Sequence, residues 1–270
     1  MNNEIADLFK KHGSDKLAHN YTDIYFSYFK ELKDQKLNIL EIGVADGKSI
    51  KAWSEYFSKS NIVGIDINKI DLDQKGLKKE NIFIHEGSQS DANFIKGIIS
   101  KYEKFDIIID DGSHLPKDVI KSFNLLFPSL DSNGLYFVED IQTSYIHFFH
   151  GNPFDLKYSK THMNFFKHLT DSLNYQEIAN PFYRKKMYDS KITNISFYHN
   201  MVVVKKGPNN QESNLIMNHS YEDKRYLTRL NQKGSENKLK YYIKYKILYK
   251  LYTFFLFFVN LIKKIVLLRF

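Results

Sequence analysis

The residues with the greatest capacity for chemistry stand in two short runs, Asp110-Asp111-Gly112-Ser113-His114 and Glu139-Asp140. Each follows an apolar stretch of the kind that forms a buried strand, 105–109 and 135–138. At the carboxyl ends of parallel strands they would share one sheet edge, where open α/β sheets bind ligands. Four carboxylates in so small a region repel one another unless protonated or neutralised by a cation. Oxygen-rich clusters of this sort suit a hard divalent ion such as Mg²⁺, or Mn²⁺. His114, three residues past Asp111, is placed to act beside a metal rather than as a ligand. A metal lowers the pKa of a bound hydroxyl and orients it, and a histidine can then remove the proton. The bland alternative is that Asp-Asp caps the following helix and that the histidine is structural.

A second set of strand ends has binding rather than reactive character. The run Glu41-Ile42-Gly43-Val44-Ala45-Asp46-Gly47-Lys48-Ser49 follows the first strand. Gly43 and Gly47 let the backbone turn tightly and a ligand come close. The spacing is not the G-x-G-x-x-G of dinucleotide sites; it is nearer the E-x-G-x-x-x-G of class I methyltransferases. The second strand ends in Gly64-Ile65-Asp66, whose carboxylate can accept from both hydroxyls of a ribose. The third is followed by Gly87-Ser88-Gln89-Ser90-Asp91, a polar loop suited to an adenine edge. Glycine loop, acidic strand end and polar loop, in that order, favour S-adenosylmethionine (SAM) as ligand.

The elements that must position these residues alternate along the chain. Strands are expected over 37–42, 61–67, 81–86, 105–109 and 135–138, with helices over 49–58, 93–102 and 119–130 and a turn at 131–134. That order argues for a doubly wound α/β, Rossmann-like parallel sheet with helices on both faces. Short amphipathic helices over 2–11 and 21–32 precede it, and an antiparallel pair, 192–199 and 201–205, would close it. The domain reading is an N-terminal helical cap (1–35), a ligand-binding α/β domain (36–207), a polar linker (208–240) and a basic, aromatic helix (241–270).

Composition narrows the function classes. Of 270 residues none is cysteine, which removes disulfides, thiolate metal sites and a cysteine nucleophile. The start shows no basic-then-apolar secretory pattern, so the expected location is cytoplasmic. The net charge of +8 is concentrated in the last segment, with Lys238, Lys240, Lys244, Lys246, Lys250, Lys263, Lys264 and Arg269, so the whole chain does not read as a nucleic-acid binder. In that segment the longest uncharged run, 251–262, is shorter than the roughly 20 residues that span a bilayer. A basic aromatic helix would lie in the membrane interface or pack on a partner chain.

With these residues in view, the sequence resembles the metal-dependent class I sugar O-methyltransferases of the macrocin and mycinamicin type, over roughly residues 11–207. The likeness is carried by His12-Gly13-Ser14-Asp15-Lys16 with His19 and Tyr21, Leu40-Glu41-Ile42-Gly43, Asp110 to His114, Leu126-Phe127-Pro128, Gly134-Leu135-Tyr136, and Glu139-Asp140 with Thr143-Ser144-Tyr145. Cephalosporin hydroxylase-like proteins share part of the pattern. The resemblance implies Mg²⁺ (or Mn²⁺) on Asp111, Glu139 and Asp140, and His114 as general base. It implies a SAM pocket lined by Glu41, Gly43, Ser49, Asp66, Ser88 and Gln89, with Asp110 supporting it from behind. The segment 142–151, with Tyr145, His147 and His150, would face a sugar-containing acceptor, and the assembly would be a homo-oligomer.

The basic tail departs from the antibiotic enzymes of this group. It points instead to an acceptor made at the inner face of the cytoplasmic membrane, such as a bacterial surface glycan or lipid-linked saccharide. Rival readings are a catechol or other small-molecule O-methyltransferase and a non-catalytic SAM-binding scaffold.

Overall fold

The computed structural model describes residues 3–178 and 183–211, together with Leu251, Phe254, Phe255 and Phe258. The chain divides into two units, Met1–Ser213 and Asn214–Phe270. In the second unit the four described residues are helical and exposed. The sheet and its covering helices belong to the first.

Seven strands form one mixed sheet in the order β3-β2-β1-β4-β5-β7-β6. The parallel part comprises β1 (Asn38–Ile42), β2 (Asn61–Asp66), β3 (Ile82–Glu86), β4 (Phe105–Asp110) and β5 (Leu130–Val138). The antiparallel hairpin β6 (Ile192–Tyr198) and β7 (Met201–Lys206) closes it, β7 lying against β5. The chain order reverses at β1/β4, so the crevice beyond these two strand ends is where the fold favours a ligand.

Strand alternation sorts the apolar side chains onto two faces. Ile39, Ile107, Ile109, Phe137 and Val203 join one cluster, and Leu40, Ile108, Tyr136, Val138 and Val202 the other. The first cluster is covered by α1 (Glu4–His12), α2 (Thr22–Phe29) and α3 (Lys48–Tyr56), whose Phe9, Tyr25 and Phe29 surround Trp53 edge-on. The N-terminal helices are therefore part of the main core. The second cluster is covered by α4 (Ala92–Tyr102), α5 (Pro116–Leu126) and α6 (His162–Leu173).

Two segments differ from the expectation. The helix expected to run to residue 130 stops at Leu126, and Phe127–Ser129 form a single 3₁₀ turn. Pro128 has no N–H to continue the helical ladder and crowds the preceding turn. The stretch 131–134 is no free turn but lies within β5, accommodated as an irregularity between the pairs Phe105–Leu130 and Ile107–Leu135. Helix α6 was not anticipated. Its buried face carries His162, Asn164 and Ser172 beside Phe166 and Leu169, which hides the apolar period.

Gly43 brings backbone close against backbone at the sheet edge. At φ +89° it adopts a conformation that side chains avoid, and a Cβ there would stand 2.2 Å from the Asp111 carbonyl oxygen. Gly43→Ala is expected to cost about 3 kcal/mol in urea unfolding; a change under 1 kcal/mol would show that this approach is not a constraint.

Candidate active site

The sheet ladder carries the acidic residues to one place. Ile42, Asp110 and Val138 are aligned across β1, β4 and β5. Beyond them Asp111 N–H donates to the Ile42 carbonyl and Glu139 N–H to the Asp110 carbonyl, each at 3.0 Å. Two acidic residues are thus locked side by side by backbone bonds alone. Glu41, one residue short of the end of β1, is fully buried on the same side.

What makes this arrangement tenable is Lys16. Gly13 ends α1 in the left-handed conformation, Ser14 caps a short 3₁₀ turn (Asp15–Leu17), and Lys16 runs inward until it is 1% exposed. Its Nζ lies 2.5 Å from Asp111 Oδ2, 2.6 Å from Glu139 Oε1 and 3.4 Å from Glu41 Oε1. Burial alone would pull the ammonium pKa down, but the facing carboxylates of Asp111, Glu139 and Glu41 outweigh it and hold it well above its ordinary value. Burial pushes Glu41 up to about 7, with Lys16 opposing. Burial and the nearby Asp111 charge also push Glu139 well above its ordinary value, although Lys16 and Tyr25 both hydrogen-bond it.

Asp140 follows Glu139 but faces a more open space. Tyr21 Oη donates to its Oδ1 at 2.8 Å and Gln142 Nε2 at 3.1 Å. Burial opposes its ionisation, yet these bonds and the neighbouring His114 and His19 hold its carboxyl below the ordinary range. His114 Nε2 stands 3.8 Å from Asp140 Oδ2 and 4.0 Å from Asp111 Oδ1. Both His114 and Asp140 have left-handed backbones, at φ 57° and 52°.

Asp111, His114 and Asp140 each offer one donor atom, all within 4.8 Å of one another. Two carboxylates suit a hard divalent cation, and the imidazole nitrogen stands beside them. Of the expected ligand set, Asp111 and Asp140 are in this group, while Glu139 lies behind it on Lys16 and Tyr25. Lys16 meets Glu41, Asp111 and Glu139, while Asp140, whose carboxyl is held below its ordinary range, lies outside that set.

The residues expected around SAM stand at and behind the neighbouring strand ends. Asp66 Oδ2 accepts from Val44 N at 2.9 Å and Ala45 N at 3.0 Å, and Oδ1 from Asn68 N at 2.8 Å, so this carboxylate shapes the glycine loop. Ser49 Oγ donates to Glu41 Oε2 at 3.0 Å. Ser88 Oγ is paired with Ser90 Oγ at 3.2 Å. Gln89 is buried: its Nε2 donates to Asp110 Oδ1 at 3.0 Å and its Oε1 accepts from Ser113 N at 2.7 Å. Asp110 is wholly interior, held by Ser122 at 2.5 Å as well, and burial lifts its pKa to about 6. Gln89 and Asp110 therefore brace the β4 end. Just past the end of β2, Ile67 is 71% exposed, an apolar side chain that sequence reasoning had not singled out.

The segment expected to face an acceptor forms two 3₁₀ turns, Ile141–Tyr145 and His147–Phe149. The Phe149 ring stands 6.2 Å from the His114 ring, and Phe148 and Phe154 project into solvent. Sequence reasoning also gave no role to Lys16, Tyr21 or Tyr25. The signal for Lys16 was present: carboxylates clustered at a strand edge require a nearby cation.

Lys16→Met leaves that cluster buried without its counter-charge. It is expected to lower unfolding stability by about 3–5 kcal/mol, read from denaturant midpoints at neutral pH; a loss under 1 kcal/mol would mean the carboxylates are neutral without Lys16.

No protein-family model matches the chain. It is 33% identical over 218 residues to mycinamicin VI 2''-O-methyltransferase of Micromonospora griseorubida, covering 77% of this chain and 54% of that protein. It is 32% identical over 201 residues to demethylmacrocin O-methyltransferase of Streptomyces fradiae, covering 72% and 50%. The chain thus spans about half the length of the curated relatives it matches. Among solved structures, the MycE methyltransferase of the mycinamycin biosynthetic pathway, in complex with Mg and SAH, superposes with a TM-score of 0.76 at 30% identity, covering 85% of this chain and 60% of that one. Over its α/β domain, with a class I methyltransferase fold, this chain is a homologue of the sugar O-methyltransferases of glycosylated natural products.

Proposed function

We propose that this chain is a SAM-dependent O-methyltransferase that acts on a sugar hydroxyl with the help of a divalent cation. The observation that carries the reading is the grouping of Asp111, His114 and Asp140 immediately beside the Gly43–Asp66 crevice, in a chain homologous to enzymes of that activity. The crevice would hold SAM, with Asp66 at the ribose, Gly43 and Ser49 along the cofactor and Ile67 against the adenine. Asp111 and Asp140, with Glu139 behind them, would hold Mg²⁺. When bound, the cation lowers the pKa of an alcohol and fixes its direction. His114 takes the hydroxyl proton on Nε2 as the oxygen acquires the methyl group; one O–C bond forms, one S–C bond breaks and S-adenosylhomocysteine is released.

The acceptor we favour is a bacterial surface glycan or lipid-linked saccharide met at the inner face of the cytoplasmic membrane. No helix among the described residues is long and apolar enough to cross a membrane. Leu251, Phe254, Phe255 and Phe258 are helical, exposed and spaced as one stripe, and Lys250, Lys263 and Lys264 flank this part of the sequence. A stripe with flanking lysines suits an anionic lipid surface.

Calorimetric titration with S-adenosylhomocysteine should give micromolar binding, lost in Asp66→Ala. Methylation of surface-glycan acceptors should then fall by at least about 100-fold in His114→Ala, in line with the loss of a general base. Absence of cofactor binding with or without Mg²⁺ would refute the enzyme reading. Removal of residues 241–270 is expected to abolish co-sedimentation with phosphatidylglycerol vesicles while leaving cofactor binding unchanged; undiminished sedimentation would refute the membrane role.

A further inference from the structure

His114 and Asp140 are brought together from two different strand ends, and both hold left-handed backbones. Neither is glycine, so each conformation carries strain that its surroundings must offset. A single side chain meets both. Thr143 Oγ1 lies 3.1 Å from the His114 carbonyl oxygen and 2.8 Å from the Asp140 carbonyl oxygen. The Asp140 contact is local, three residues back within a 3₁₀ turn, and is reinforced by Thr143 N–H at 3.0 Å. The His114 contact crosses 29 residues of sequence.

Behind the hydroxyl stands His162, at zero exposure, with Nε2 3.2 Å from Thr143 Oγ1. Carbonyl oxygens only accept, so the one hydroxyl hydrogen is shared between them. His162 Nε2 is the third polar atom that meets this hydroxyl. Thr143 is itself buried.

We infer that Thr143, backed by His162, is a positioning residue that clamps the backbones of His114 and Asp140 in the pose that the proposed metal–acceptor site uses. It touches neither acceptor nor cofactor; it acts through the two peptide groups whose side chains do. The inference rests on the functional reading above for the role of His114 and Asp140, whereas the clamp itself is a property of the backbone. A methyl group in place of the hydroxyl would leave the His114 carbonyl and the imidazole nitrogen without this partner, while the Asp140 carbonyl keeps only the Thr143 N–H.

The test compares Thr143→Val, which keeps the shape, with Thr143→Ser, which keeps the hydroxyl, in the full chain. Mn²⁺ binding followed by electron paramagnetic resonance should weaken about 10-fold in Thr143→Val and stay within about 3-fold in Thr143→Ser, the range seen for groups that orient metal ligands. In parallel, the ¹³Cα shifts of His114 and Asp140 should leave the left-handed range in Thr143→Val and keep it in Thr143→Ser. Unchanged affinity and shifts in Thr143→Val overturn the clamp. So does an equal loss in both variants accompanied by a fall in S-adenosylhomocysteine affinity, which marks a general packing defect. If the unsubstituted chain binds no Mn²⁺, it is the metal reading that fails. The ¹³Cα shifts then decide the clamp alone, supporting it if they move only in Thr143→Val and overturning it if they do not.

Discussion

Carboxylates cannot be gathered at a dry sheet edge without a cation among them, and in this chain the resident cation is Lys16. Its ammonium touches side chains contributed by β1, the β4 end and the β5 end. The connection explains why the N-terminal helices are packed into the main core. Phe9, Tyr25 and Phe29 seat α1 and α2 around Trp53, and that seating aims the intervening turn, and Lys16 with it, into the sheet. Tyr21 and Tyr25 from the same segment hydrogen-bond Asp140 and Glu139. A segment that covers the core thus also sets the charge and direction of the acidic cluster. A buried ion pair adds little net stability once desolvation is counted; what this one provides is a fixed place for each oxygen.

The cluster has two zones with different electrostatics. In the inner one, Glu41 and Glu139 are wholly enclosed, and burial raises their pKa values while Lys16 holds them in place. In the outer one, Asp140 is kept anionic by hydrogen bonds, and with Asp111 and His114 it faces the crevice. An inner zone balanced by a protein ammonium and an outer one left with negative charge is an arrangement that orders the site before any cation arrives. The backbone contributes equally. Gly43 lets β1 approach the Asp111 carbonyl, and the left-handed turns at His114 and Asp140 swing two side chains from separate strands toward one point.

The parallel sheet was legible because buried strands of β-branched residues, such as 105–109, read as short apolar runs that end in glycine or acid. The strand-end positions of Asp66, Asp111, Glu139 and Asp140 followed from it, since ligands gather beyond the carboxyl ends. Illegible were elements whose buried face is polar. Helix α6 buries His162, Asn164 and Ser172, and no apolar period announces it. The start of β5 was hidden for a related reason: Asp131, Ser132 and Asn133 carry turn chemistry, yet pairing on both sides of an irregularity keeps them in the strand.

By itself the sequence determined which residues lie at which strand ends, because hydrophobic period and turn residues are local properties. Tertiary structure decided how those side chains are employed. Gln89 and Asp110, expected near the cofactor, are spent on each other and on Ser113 and Ser122. Glu139, expected beside Asp111 and Asp140 at one cation, also accepts from Lys16 and Tyr25, residues more than a hundred positions earlier. The physical reason is that a hydrogen bond or ion pair depends on distances of a few ångströms between atoms remote in sequence, and only the packing of the helices on the sheet fixes those distances.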